Sequence, residues 1–173
     1  MDQQQIKALG DELYNSLVNR ITVKPLTERF PDIKVEDSYE ISKVMTENRV
    51  AAGEKVIGKK IGLTSKVVQN MLGVGQPDFG FLTDCMAYSQ GEEMPISEKL
   101  IQPKAECEIA FIMKRDVMGP VLTVADIMAA TECVMPCFEV VDSRVENWKI
   151  KIQDTVADNA SCGLFVLGDQ AVS

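Results

Sequence analysis

Three carboxylates are the residues in this sequence best placed to do chemistry. Glu106 and Glu108 lie two apart in the run Lys104–Met113. That run reads as a strand, and in an extended chain residues i and i+2 point to one face, so both carboxylates lean the same way. Ala110 and Ile112 continue their face, while Ala105, Cys107, Ile109, Phe111 and Met113 make the other almost wholly apolar. A strand this apolar is expected inside a sheet packed on both sides. Carboxylates there cost roughly several kcal/mol each unless a cation or donors compensate them. An acid-x-acid pair is more commonly a solvated strand edge. The third carboxylate, Glu139, tips the balance, because it stands in the middle of a second short apolar run, Pro136–Asp142. Three carboxylates from two strands suit a hard divalent ion such as Mg²⁺ or Mn²⁺, which takes oxygen ligands and keeps water or substrate oxygens in the remaining positions.

The bulk of the sequence narrows the chemistry further. The 173 residues are 46% hydrophobic, enough for one domain with a real core. A net charge of −8 argues against nucleic acid or an anionic membrane as the main partner. No apolar run approaches the roughly 20 residues that cross a bilayer. Met1–Gln5 lacks the features of a signal peptide, and five scattered cysteines suggest a reducing compartment, so a cytoplasmic location is expected. Histidine is absent, which removes Ser-His-Asp and Cys-His catalysis and His-ligated zinc from consideration. Acid–base work falls to carboxylates, lysine, tyrosine or metal-bound water.

The elements that must position these groups can be read in order. Ile6, Leu9, Leu13, Leu17 and Val18 recur at helical spacing over residues 3–19. A second helix is expected over 35–52, with Tyr39, Ile41, Val44 and Met45 buried and Gly53 as its stop. From Lys55 to Leu63 the pattern alternates as a strand, with Val56, Gly58, Lys60 and Gly62 sharing one face. Glycines flanking a lysine on a strand mark close approach of a ligand or of another backbone, although an exposed lysine is the commoner case. Thr64 or Ser65 caps a short helix over 66–72, ended by Gly73. Asp78 follows in a turn-rich loop, a strand is expected over 81–88, and Thr123 and Asp126 form a capping box for a helix running to about Cys133. Cys133 and Cys137 read as buried small hydrophobes. Asp158, Asn159 and Ser161 then stand at the mouth of a buried strand, 164–167, where sites are often built and where an ordinary turn is equally common. Strands outnumber helices after residue 55, so an α+β fold is expected, a mixed rolled β-sheet under an N-terminal helical cover. The expected division is a helical region over 1–54 and a catalytic mixed β domain over 55–173. Gly168–Ser173 reads like the lead-in to another element, so the sheet is expected to continue beyond it.

Gly58–Ser65, Gln76–Gly80, Gln102–Glu108 and Asp154–Gly163 together resemble one family over nearly the whole chain. They look like the 2-oxopent-4-enoate (2-hydroxypenta-2,4-dienoate) hydratases of meta-cleavage aromatic degradation, within the fumarylacetoacetate hydrolase-like superfamily. The resemblance implies a divalent ion held by Glu106, Glu108 and Glu139, and a substrate pocket lined by Lys60, Asp78 and Ser161. Three carboxylates around a divalent ion leave a local charge of about −1, so Lys60 would help bind an anionic substrate. Asp78 is the candidate for proton transfer and Ser161 for orienting a water or a substrate oxygen. The resemblance also implies a homo-oligomer and association with a 4-oxalocrotonate decarboxylase. Members of the family usually continue for several more strands.

The sister 2-oxo-3-hexenedioate (4-oxalocrotonate) decarboxylases resemble the chain in the same carboxylates, and Cys162-Gly163 after Ser161 favours the hydratase branch. An acylpyruvate-type C–C hydrolase is disfavoured by the missing histidine. A non-catalytic partner subunit is the reading from another class, opposed by the intact Lys60, Glu106, Glu108 and Glu139.

Overall fold

The computed structural model describes residues 1–173, apart from the side chains of Met71 and Leu72. Helix α1, Gln3–Asn19, begins where Asp2 accepts a hydrogen bond from the Gln5 amide at 2.7 Å, and it ends at Arg20 in the left-handed region. Helix α2 is the short Leu26–Arg29, and α3 spans Val35–Ala51. Gly10 lets α1 and α3 approach closely, since a Cβ there would stand 2.5 Å from that of Val44. Ile6, Leu9, Leu13, Leu26, Ile41 and Met45 share one core with Ala157 of helix α7, Ile152–Ala157. Val18, expected in the buried stripe of α1, is exposed, while its neighbour Leu17 packs against that core.

Strands β1, Val56–Gly62, and β2, Asp78–Thr83, pair antiparallel as a two-stranded sheet on either side of helix α4, Lys66–Leu72. Their register sets Lys60 opposite Gly80 and Gly62 opposite Asp78. The neighbouring Lys59 turns to the other face, where its ammonium lies 5.2 Å from the Phe79 ring centre, and Phe79 in turn stacks on Tyr39 of α3 at 4.6 Å. The expected strand over 81–88 is broken, because Asp84–Met86 form a 3₁₀ turn between β2 and β3, Ala87–Ser89.

A second, open sheet has the order β3-β6-β5-β4, where β4 is Lys104–Met113, β5 is Thr131–Val141 and β6 is Leu164–Leu167. Short helix α5, Ile96–Lys99, precedes β4, and α6, Val124–Ala130, connects β4 to β5. The Thr123 cap forms as expected, but α6 stops at Ala130 instead of about Cys133. The reason is pairing: Thr131–Met135 continue β5 and take Met113–Ala110 as partners, which outweighs local helix preference. Cys133 and Cys137 are accordingly half-buried strand residues.

The larger correction concerns β4. Among the described residues it pairs with β5 alone and forms the edge of its sheet, with Ile109 66% and Phe111 57% exposed. The expectation of a strand packed on both faces fails, because an apolar alternation reports what a strand can bury and not what lies against it.

Candidate metal and substrate site

The β4–β5 register decides where the carboxylates go. Glu106 stands directly opposite Glu139, and Glu108 opposite Cys137. Directly opposed residues share a face, as do residues two apart, so all three carboxylates emerge on one side of the sheet. One oxygen from each lies within 4.8 Å of the others. Their surroundings differ. Glu106 and Glu108 are exposed, so the solvated-edge reading of the acid-x-acid pair describes their burial, whereas Glu139 is 7% exposed. Burial first, then the Glu106 and Glu108 charges, push the Glu139 carboxyl up to about 7 against the opposing pull of Lys60.

Lys60 reaches this group from β1. Its ammonium lies 3.5 Å from Glu139 Oε2 and donates to the Ala160 carbonyl at 2.9 Å. Burial alone would lower its pKa, but the negative groups around it, Glu139 and Asp78 among them, raise it instead. The Cys162 thiol beside it is pushed up to about 12, chiefly by burial, and is neutral at ordinary pH. Glu139 and Asp78 therefore remain as the lysine's charge partners. Asp78, at the start of β2, is buried, and desolvation raises its pKa despite Lys60 and the backbone amides of Asp78 and Gly62. Gly62 is required at this point, since a Cβ there would stand 2.3 Å from Asp78 Oδ1.

Ser161 lies next in the chain to Ala160, whose carbonyl receives Lys60. It ends a turn, Asn159–Ser161, whose three residues have φ of 54°, 52° and 54°. Three successive left-handed residues without a glycine cost roughly 1–2 kcal/mol each, so the surroundings must hold them. The Asn159 side chain accepts from the Phe81 amide at 2.7 Å and donates to the Phe81 carbonyl at 2.9 Å, tying the turn to β2. The Ser161 hydroxyl lies 2.9 Å from that of Thr155. Gly80 makes the approach possible, as a Cβ there would fall 2.3 Å from the Asn159 carbonyl oxygen.

Lys60 and Asp78 thus come from β1 and β2 to the neighbourhood of the carboxylate face, and Ser161 follows the Ala160 carbonyl that receives Lys60. Sequence reasoning passed over Asp142, Arg144 and Asp154, all fully buried. The signal for the first two was a charged pair, with a serine between, directly after the apolar end of β5. Among the described residues, Asp78 Oδ1 and Glu139 Oε1 are buried side-chain atoms without a hydrogen-bond partner. Orphaned carboxylate oxygens beside two further carboxylates fit a hard divalent cation, which supplies what the single ammonium of Lys60 leaves uncompensated.

The chain is 73% identical over all 173 residues to a 2-hydroxypent-2,4-dienoate hydratase of Pseudomonas putida, of which it spans 78%. That match decides the family. The chain belongs to the 2-hydroxypentadienoate hydratases. Within that hydro-lyase family it is also 58% identical to a 2-hydroxyhexa-2,4-dienoate hydratase of Comamonas testosteroni. It is 43% identical to a 2-keto-4-pentenoate hydratase of Paraburkholderia xenovorans. It spans 64% of the length of each of these two. No family model matches. In three dimensions the hydratase chain superposes over its full length on 65% of a 4-oxalocrotonate decarboxylase from Pseudomonas putida, at 35% identity and a TM-score of 0.94; that enzyme is complexed with magnesium and adipate. A second structure of the decarboxylase, with calcium and acetate, gives a TM-score of 0.92 at 34% identity.

Proposed function

We propose that this chain carries the site for metal-dependent hydration of 2-hydroxypenta-2,4-dienoate to 4-hydroxy-2-oxopentanoate, a step in meta-cleavage degradation of aromatic compounds. The observation that carries the reading is the buried, partnerless Glu139 oxygen facing Glu106 and Glu108 beside Lys60. Its support is the identity to named hydratases. Glu106, Glu108 and Glu139 would hold Mg²⁺ or Mn²⁺. Bound there, the ion would supply a Lewis acid for the 2-oxygen and a template for the substrate carboxylate.

The remaining work falls to the chain's own groups. The alkene must first be conjugated with a ketone, so the dienol gives up its 2-hydroxyl proton and gains one at C5. Water then adds its oxygen to C4, and a proton arrives at C3. Lys60, as a fixed ammonium, binds the anionic substrate and opposes charge developing at the 2-oxygen. Asp78, whose carboxyl burial pushes above its ordinary range, is assigned the proton transfer at C5. The Ser161 hydroxyl, oriented by Thr155, directs the attacking water.

The test is the ultraviolet loss of the dienoate with Mg²⁺ and with chelator, beside CO₂ release from 2-oxo-3-hexenedioate. Metal-dependent loss without CO₂ supports the hydratase. CO₂ release would move the chain to the decarboxylase branch that its structural neighbours represent. Silence in both from folded protein would favour a partner subunit.

The same reading carries the two sheets as parts of a rolled sheet under a helical cover, a division near residue 54, a cytoplasmic location, a homo-oligomer and association with a 4-oxalocrotonate decarboxylase. No helix among the described residues is long and apolar enough to cross a membrane.

A further inference from the structure

Arg144 follows β5 and is fully buried, and its ion pairs are with Asp158 and, at 3.7 Å, Asp142, not with the three carboxylates of the proposed metal site. Its bonds go elsewhere. Nε donates to Asp158 Oδ1 at 2.5 Å and the backbone amide to Asp158 Oδ2 at 2.8 Å. Nη2 donates to the Asp158 carbonyl and Nη1 to the Cys162 carbonyl, each at 2.7 Å. Residues 158 and 162 are the two ends of the left-handed turn Asn159–Ser161. An ion pair alone would need only the Asp158 carboxylate. The two carbonyl bonds instead bracket the strained segment, and the rigid planar fork of a guanidinium can span both ends at once.

The turn's own groups make two further contacts. The Ala160 carbonyl receives the Lys60 ammonium, and the Ser161 hydroxyl meets Thr155. We propose that Arg144 is a positioning residue that clamps the Asn159–Ser161 turn from both ends and thereby sets the placement of Lys60 and Ser161. The functional weight of those two groups rests on the hydratase reading, whereas the clamp itself does not.

Lysine at this position keeps the charge next to Asp158 but cannot reach both carbonyls, so Arg144→Lys separates clamping from charge. The double variant Arg144→Met/Asp158→Leu removes the clamp together with its Asp158 partner, leaving Asp142, 3.7 Å from Nη1 in the wild type, to the amides of Ile101 and Gln102, and it serves if the single variant folds poorly. The experiment follows hydrogen–deuterium exchange of the full chain, in peptides covering 154–163 and 104–141, with Mg²⁺ titration calorimetry and steady-state kinetics on the dienoate. With the clamp gone, exchange in 154–163 rises by at least about tenfold while the strand peptides keep wild-type rates. Turnover falls by about 10²-fold, the size expected of a misplacement near 1 Å, and the Mg²⁺ Kd moves less than about twofold. In a Lys60→Met/Ser161→Ala background, Arg144→Lys costs less than about threefold more in kcat/KM, because groups acting through one another are not additive.

Wild-type exchange in 154–163 in both variants would overturn the proposal. So would a rise spread evenly over the strands, aggregation of both variants, or a full multiplicative loss in the double background. If the wild-type protein does not turn over the dienoate, the hydratase reading fails, and the exchange rates still decide the clamp.

Discussion

Glu106 and Glu139 face each other across one rung of a β-ladder, yet one is in water and the other is not. The same substitution should therefore do different things at the two positions. Glu106→Gln removes a ligand from an exposed site, so the melting temperature should stay within the shift of about 0.5 kcal/mol usual for surface changes. Its Mg²⁺ Kd should rise by more than the roughly 10–100-fold seen when outer-shell partners of a metal are lost. Calorimetry with a thermal melt checks both, and unchanged affinity would remove Glu106 from the site. Glu139 makes a pH prediction. In the metal-free protein its carboxyl titrates at about 7, so below that pH an incoming ion must displace a proton. Apparent Mg²⁺ affinity should then fall by up to roughly tenfold per pH unit below 7 and level off above it. A flat profile between pH 5 and 8 would show that Glu139 is not displaced from a protonated state. The carboxylates themselves were legible in the sequence from type and spacing. The contrast in their burial was not, because it depends on which strand has a neighbour on its far side.

At the scale of elements, the site exists because two sheets and one turn come unusually close. The hairpin of β1 and β2 reaches the turn through Gly80, whose absent Cβ would meet the Asn159 carbonyl oxygen at 2.3 Å and Cys162 Sγ at 2.8 Å. Gly58 lies on the partner strand with the nearest atom, Leu82 Cδ1, at 3.8 Å. Gly80→Ala should therefore cost about 1–3 kcal/mol through forced displacement of backbone. Gly58→Ala should stay within about 0.5 kcal/mol of wild type, as at ordinary surface positions. Urea unfolding of the two variants tests the contrast, and equal costs would mean that β2 does not rest on the turn as described. Of the glycines flanking Lys60, Gly62 marks the close approach expected from sequence, by Asp78 Oδ1, and Gly58 does not. Helix α1 and strand β1 were legible, because their apolar patterns are long and regular. The break at Asp84–Met86 and the end of α6 at Ala130 were not. Both depend on pairing with residues far along the chain, as Thr131–Met135 do with Met113–Ala110. The apolar alternation of β4 misled for the same reason, since alternation describes a strand and says nothing of what covers it.

For the whole molecule, the question is what joins the helical segment to the strands that carry the site. Part of the answer is one buried carboxylate that ties α2 to α7, the helix leading into the Ser161 turn. Asp154, at the start of α7, accepts from the Thr27 amide at 3.0 Å, the Thr27 hydroxyl at 2.7 Å and the Lys151 amide at 2.9 Å. The first two bonds cross 127 positions of sequence. Asp154→Ala would leave three buried or half-buried donors unmatched, a loss of roughly 2–4 kcal/mol. For a domain of this size that lowers the melting temperature by roughly 5–15 °C. Thr27→Val keeps the shape and the amide bond and loses only the hydroxyl, so about 1 kcal/mol is expected. Below the melting temperature, however, the Mg²⁺ Kd of Asp154→Ala should stay within about twofold of wild type, since independent sites couple weakly. The carboxylates stand on the β4–β5 ladder, and none of the Asp154 bonds touches it. Kinetics should separate the two halves, because α7 runs into the turn that holds Ser161, and kcat should fall where metal affinity does not. If metal affinity and melting temperature dropped together instead, the ladder and the helical core would be one cooperative unit, and the carboxylate site would depend on packing far from its own strands.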